Sequence, residues 1–279
     1  MLTLWITLTK LAFLNMSHRC FGWSVQSVRI VNHHVRVGDI RIAYRLFIDI
    51  FIKEQYRFES CSNSPSIIDG GSHIGLSILF FKLLYPSCTI VGFEPHKPTF
   101  DILSHNMRNW QFKNVTIHNV ALSDSTGKRQ FISDHQAGGW SSHIAWTASS
   151  TVELVHTVSL NQFIWSRVDF LKIDIEGEEE LVIRDLSAHG NLVHIVSMAV
   201  EVHDEPDLPR ARNSVGRIVN ILAENGYRYI VGTLPDLYWG RMSSPSTKSF
   251  VPNRCQLMIL ATTMDSEKAN GVSVGNVGR

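Results

Sequence analysis

Residues 67–75, Ile67-Ile68-Asp69-Gly70-Gly71-Ser72-His73-Ile74-Gly75, constrain the chain more than any other stretch. Two β-branched residues run into an acid, a glycine-rich turn follows, and then comes the apolar run Leu76 to Leu84. That pattern predicts a strand, a tight turn and the start of a helix. Glycine in such a turn lets the backbone approach a ligand, and the free N–H groups of the helix start are expected to face it. Turns of this kind usually hold nucleotides, and Asp69 at the strand tip narrows the choice. A carboxylate repels a diphosphate but attracts a cofactor that carries an ammonium and a sulfonium. D-G-G-x-x-x-G therefore favours S-adenosylmethionine (SAM) over NAD, with a purely structural glycine turn as the competing reading.

The rest of the chain repeats strand and helix. An N-terminal helix over Met1 to Met16, strand character over Val25 to Val37 and a helix over Asp39 to Phe58 precede the turn. After it, strands are expected at Thr89–Phe93, Val115–Leu122, Gln130–Ser133, Val155–Ser159, Phe170–Ile175 and Ile195–Val202. Helices are expected at Lys97–Trp110, Glu178–Leu186 and Leu208–Asn225, and two last strands at Tyr227–Val231 and Gln256–Ala261. Alternation of this kind implies an α/β fold, a mostly parallel sheet with helices on both faces and an antiparallel pair at one edge. Residues 134–151 and 232–255 read as long loops. The division expected is a 1–60 extension packing on the body, a 61–261 catalytic domain and a disordered 262–279 tail.

At 279 residues, 44% of them hydrophobic and 18% charged, the chain can bury a sizeable core. A net charge of +1 gives no overall electrostatic case for nucleic acid or an anionic membrane as the main partner. Cys20, Cys61, Cys88 and Cys255 show no C-x-x-C spacing, so reduced thiols in a cytoplasmic protein are the default. The first sixteen residues are apolar but interrupted by Lys10 and too short to span a bilayer. A helix packed on the body is the main expectation for them, and a membrane-touching or partner-binding helix the alternative.

Ligands of open α/β sheets sit beyond the carboxyl ends of the strands, so the polar residues there are the candidates. Glu94, followed by Pro95, ends the second strand 23 residues after Gly71, where an acid can accept both ribose hydroxyls of an adenosine. Ala121 and Leu122, at the expected end of the third strand, could flank an adenine ring. Asp174 and Glu176 end the FLKIDI strand; they could hold an ammonium, orient a substrate hydroxyl or bind a metal, although helix capping competes. Glu201 and His203 share one side of the next strand, and His203 is a candidate base near neutral pH. The spacing of these four groups matches no compact metal motif, and no metal is assigned.

Taken in order, IIDGGSHIG, VGFEP, NVALSD, GGWSSH and FLKIDIEGEEE resemble the successive motifs of the FkbM family of SAM-dependent methyltransferases. The resemblance runs from about Pro65 to His203, roughly half of the chain. It implies a class I methyltransferase (Rossmann-like) fold and transfer of a methyl group to a hydroxyl of a sugar, glycan or secondary metabolite. It places Asp69, Gly71, His73 and Gly75, with Gly70 and Ser72 of the same turn, along the methionine part of SAM. By the same resemblance Glu94 holds the ribose, Ala121 and Leu122 flank the adenine, and Asp174 lies near the methyl group. Glu176 and His203 face the acceptor, and Ser141 and Ser142 lie in a loop over the site. His73 departs from the family, which often has Asn there; both side chains can donate a hydrogen bond.

The expected reaction is in-line attack of an acceptor oxygen on the sulfonium methyl, with His203 as first choice of base and Asp174 or Glu176 as alternatives. A non-catalytic nucleotide-binding module and an NAD-dependent dehydrogenase or epimerase are the rivals; Asp69 and the lack of G-x-G-x-x-G disfavour the second. The oligomeric state is open, a homodimer being one option.

Overall fold

The computed structural model describes residues 2–134, 150–204, 213–233 and 255–263. The first helix, α1 (Leu2–Phe21), is followed by a hairpin of β1 (Ser27–Ile30) and β2 (His33–Arg36), then α2 (Ile40–Phe47). Next come β3 (Ser66–Gly70), α3 (Leu76–Leu84), β4 (Thr89–Phe93), α4 (Lys97–Trp110) and β5 (Val115–His118). Three shorter-range strands follow, β6 (Ala121–Ser123), β7 (Gly127–Asp134) and β8 (Ser150–Ser159). The chain then forms β9 (Val168–Ile173), α5 (Glu179–Ala188), β10 (Ile195–Asp204), α6 (Ser214–Glu224), β11 (Tyr227–Thr233) and β12 (Cys255–Thr263).

Seven strands make the central sheet in the order β11-β12-β10-β9-β3-β4-β5. The run from β10 to β5 is parallel. Only β12 runs against its neighbours, and it sits one place in from the edge, between β10 and β11. The chain moves outward from β3 through β4 to β5 and then returns to lay β9 on the other side of β3. That reversal opens a crevice beyond the carboxyl ends of β3 and β9. Both sheet faces are covered, which is why the strands read as continuous apolar runs. Ile67 belongs to one hydrophobic cluster with Phe47, Phe58, Ile90 and Phe170, and its neighbour Ile68 to the other with Leu171, Ile173 and Val182.

Two expected elements break, each for a local reason. The helix expected over Asp39–Phe58 starts on schedule, with the Asp39 carboxylate accepting from the Arg41 N–H at 2.7 Å. It ends at Phe47, passes through a π-helical turn at Ile48–Ile52 and becomes irregular. A helix would set Tyr56 and Phe58 roughly 200° apart; the irregular chain buries both, and the Phe58 ring stacks on Phe170 at 4.3 Å. The strand expected over Val115–Leu122 is two strands. Asn119 turns inward and its amide donates to the carbonyls of Glu94 and Pro95, both at 2.9 Å. Ala121 and Leu122 thereby leave the tip of β5 and join a separate sheet, β6-β8-β7.

The helix at the start of the chain runs past Met16 to Phe21. Of the helix expected at Leu208–Asn225, Ser214–Glu224 is observed and 208–212 lies outside the described residues. Thr262 and Thr263 belong to β12, and the remainder of the tail is outside the described residues. So are most of the two long loops, including Ser141 and Ser142.

Candidate active site

The glycine turn is laced to its neighbours through its own backbone. The N–H groups of Gly71 and Ser72 both donate to the Phe93 carbonyl, at 3.0 and 2.8 Å, and that of Gly75 to the Ser72 carbonyl at 2.8 Å. The His73 N–H donates to Glu94 Oε2 at 3.1 Å. These groups are therefore not free to face a ligand, as a helix start usually leaves them; they fix the tip of β3 against the tip of β4. Gly71 is irreplaceable on two counts. Its φ is +79°, and a Cβ would lie 1.8 Å from the Asp174 carbonyl oxygen.

Asp69 lies fully buried beneath this turn. Its Oδ2 accepts from Ser77 Oγ at 2.6 Å and its Oδ1 faces Lys172 Nζ at 3.3 Å. Lys172, near the carboxyl end of β9 and 2% exposed, is the hub of the site. Its ammonium donates to the carbonyls of Gly70 and Gly71 at 3.0 and 2.8 Å, and lies 3.5 Å from Asp174 Oδ2. Burial alone would push its pKa down, but the carboxylates of Asp69, Asp174 and Glu201 outweigh that and hold it above the ordinary lysine value. Lys172 also sits over the ring of Tyr56, 5.1 Å from its centroid.

Tyr56 reaches the site from the irregular segment after α2. Its hydroxyl contacts Asp174 Oδ2 at 3.2 Å and Glu201 Oε2 at 3.3 Å. Burial first, then those two acids, keeps the phenol protonated well above its usual range, so it serves as a donor. Glu201 is pushed up to about 8, by burial and then by Asp174.

His203, on β10, is held by two glutamates. Its Nδ1 is 2.9 Å from Glu179 Oε1 and its Nε2 3.3 Å from Glu176 Oε2. Glu179 is pinned in turn by the N–H of Gly177, 3.0 Å from each of its oxygens. Burial would lower the His203 pKa, but Glu179 and Glu176 overcome this and raise it well above 6.5. Both ring nitrogens thus face carboxylates, which favour the protonated ring. Ligand atoms of Asp174, Glu176 and His203 all lie within 4.8 Å of one another, a spacing compatible with a divalent cation.

On the other side of the turn, Glu94 is buried, and its Oε1 also accepts from the His96 N–H at 2.9 Å. Burial pushes its pKa up to about 7. Pro95 beside it is half-buried. The His73 ring is neutral, its pKa lowered by burial to about 4, and both its nitrogens are shielded from solvent without a partner among the described residues. Although Leu122 has left the main sheet, its Cδ1 comes within 2.9 Å of where a Cβ on Gly70 would sit, so it packs on the turn. Ala121 beside it is half-buried.

The structure thus gathers Asp69, Asp174, Glu176, Glu201 and His203 at one group of strand tips, with the His73 and Glu94 side next to it. Three contributors went unnoticed in the sequence. Lys172 was visible as a lysine amid the apolar residues of FLKIDI, a position that a buried strand gives a charge only when it is paired. Glu179 read as an acid of the first helical turn. Tyr56 carried no local signal.

Residues 69–229, more than half of the chain, match the Methyltransferase FkbM domain. The chain belongs to the FkbM methyltransferase family. Among the relatives of this FkbM methyltransferase, Methyltransferase 1 of Beauveria bassiana (strain ARSEF 2860) is 28% identical over 180 residues, covering 56% of this chain and 72% of that protein. The 31-O-demethyl-FK506 methyltransferase FkbM of Streptomyces tacrolimicus is 24% identical over 220 residues, 71% of this chain and 83% of the relative. A solved structure of methyltransferase FkbM from Methylobacillus flagellatus KT superposes with a TM-score of 0.47 at 14% identity, over 80% of this chain and 53% of that one. This FkbM methyltransferase spans about half the length of that solved chain. Tyr56 lies ahead of the segment that defines the family.

Proposed function

We propose that this FkbM-family methyltransferase uses SAM to methylate a hydroxyl of a sugar, glycan or secondary metabolite. One observation carries the reading. Five carboxyl groups, Asp69, Asp174, Glu176, Glu179 and Glu201, gather at the strand tips around two cations, Lys172 and His203. A site so rich in acids suits a positively charged ligand. The unpartnered nitrogens of His73 add hydrogen-bonding capacity on the same side. The relative named for 31-O-demethyl-FK506 points to a natural-product hydroxyl as one acceptor class.

Bound there, SAM supplies an activated methyl group, so the protein need only align an acceptor oxygen and remove its proton. Glu94 would hold the ribose, the turn from Asp69 to Gly75 the methionine end, and Ala121 and Leu122 the adenine. Asp174 would lie close to the transferred methyl, and Glu201 would face the acceptor. For the proton, Glu176 is the better base than His203. Glu176 is half-buried and therefore reachable, whereas His203 is buried with a glutamate at each ring nitrogen. His203 then acts as a positioning residue, fixing Glu176 from behind.

Calorimetric titration with SAM, then transfer of a labelled methyl group to a panel of glycans and polyketides, tests the assignment. Glu176→Gln should keep SAM affinity and lose turnover by about 100-fold or more. Undiminished turnover in that variant would remove Glu176 from the role. SAM binding without transfer to any acceptor would instead favour a non-catalytic binding module. A second reading rests on the close approach of Asp174, Glu176 and His203: a divalent cation there would orient the acceptor hydroxyl. Loss of activity in EDTA, restored by added Mg²⁺, would favour it.

A further inference from the structure

The outer face of α1 has no partner among the described residues, and apart from Thr9 the stripe at its centre is apolar. Leu2, Trp5, Ile6, Phe13 and Met16 are each more than half exposed, and at about 100° per residue they fall within one stripe roughly 100° wide. The opposite face is already covered, with Thr7 and Ser17 buried on it. Leu11 is buried, and Leu4, Leu8 and Leu14 pack against the core. One face of the helix is thus held by the core and the other carries exposed hydrocarbon. Exposed hydrocarbon continues at the helix end with Phe21 and, just beyond it, Trp23, with ring centroids 5.9 Å apart.

Charge indicates what covers this face. Lys10 and Arg19 are exposed and lie roughly a quarter-turn to either side of the stripe. Arg29 and Arg36, in the hairpin that follows, are exposed as well. No acid precedes Asp39, although the whole chain is nearly neutral at +1. An apolar stripe bordered by long cationic side chains, with Trp5 and Trp23 near its two ends, suits a bilayer surface, the other face of the helix being held by the protein core. The hydrocarbon enters the acyl boundary, the indoles sit at headgroup level, and Lys and Arg extend to anionic headgroups. No described helix is long and apolar enough to cross a membrane. We propose that α1, together with Phe21 and Trp23, docks the enzyme on an anionic lipid surface, with the helix lying flat. The site at the strand tips would then work beside a membrane, which suits an acceptor with a lipid portion. The docking itself does not depend on the methyl-transfer reading.

The test uses the full chain and large unilamellar vesicles, either pure phosphatidylcholine or phosphatidylcholine with phosphatidylserine, in a co-sedimentation assay. Binding should be about tenfold or more tighter to the anionic vesicles, as two cations near such a surface would give, and should weaken as salt is raised. The double variant Trp5→Ser, Phe13→Ser should lose vesicle binding while keeping the thermal midpoint of the parent. Lys10→Glu should lose the preference for phosphatidylserine. Equal, salt-insensitive binding to both vesicles would overturn the electrostatic assignment. Failure to bind either vesicle would overturn the proposal outright. If sedimentation velocity then showed a dimer abolished by the same double variant, the stripe would be an interface between copies.

Discussion

The strand tips and the first helix solve opposite problems in opposite ways. Beyond β3, β9 and β10, the protein buries acids and cations and matches them: Lys172 to Asp69 and Asp174, His203 to Glu176 and Glu179. Along α1 it does the reverse and leaves Trp5, Ile6 and Phe13 in water. Burying charge is tolerable only when each charge has a partner, so the first region has little freedom to change. Exposing hydrocarbon costs the fold almost nothing, because an exposed chain also wets it when unfolded. The contrast separates residues that hold the molecule together from residues available for something outside it.

That contrast can be broken most forcefully at Lys172. Lys172→Met removes the one ammonium among Asp69, Asp174 and Glu201, and should cost about 3–5 kcal/mol of stability, read from urea denaturation. A loss below about 1 kcal/mol would mean the acids had found another partner. Tyr56→Phe is milder. It removes one donor from Asp174 and Glu201 and should cost about 1–3 kcal/mol, with a matching fall in turnover. His203 gives a pH signature. Its folded pKa is raised, so its contribution is fully present below about 6.5, the unfolded value, and is lost as pH rises through the higher folded value. The stability gap between the parent and His203→Gln should therefore narrow as pH rises through the alkaline range, and a gap independent of pH would show that the imidazolium pair contributes nothing.

Two smaller effects sharpen the comparison from either side. Glu94 has its pKa near 7 in the folded protein. Its carboxylate accepts hydrogen bonds from a ribose better than the neutral acid, so SAM affinity should rise by a few-fold between pH 6 and pH 8, and Glu94→Gln should flatten that dependence. On α1, Trp5→Ser should shift stability by no more than about 0.5 kcal/mol, since it touches none of the buried network. A large shift there would place the first helix among the structural elements after all.

Much of the fold was legible because the signals were local. The alternation of β3, α3, β4 and α4 followed from apolar runs punctuated by glycine and proline. Asp69, Glu94, Asp174 and Glu201 drew notice because strand ends are where a parallel sheet gathers polar groups. The failures were cases where a distant contact overrode a local preference. Asn119 sits in an uninterrupted β-prone run, and only its bonds to the Glu94 and Pro95 carbonyls divert the chain. Tyr56 lies in a stretch of helical pattern, and its partners are 118 and 145 residues away. The protonation of His203 depends on Glu179, whose sequence position suggested nothing beyond a helix start.

The position of Tyr56 has a practical consequence. A fragment trimmed to residues 69–229, the span that defines the family, would discard a side chain that touches two of the central acids. It would also discard Phe58, removing the ring stacked on Phe170. Such a fragment would also cut β3 in half, losing Ile67 and Ile68, and would be an incomplete enzyme. Expression work, and any transplant of this site into another scaffold, should begin upstream of the segment that gives the family its name.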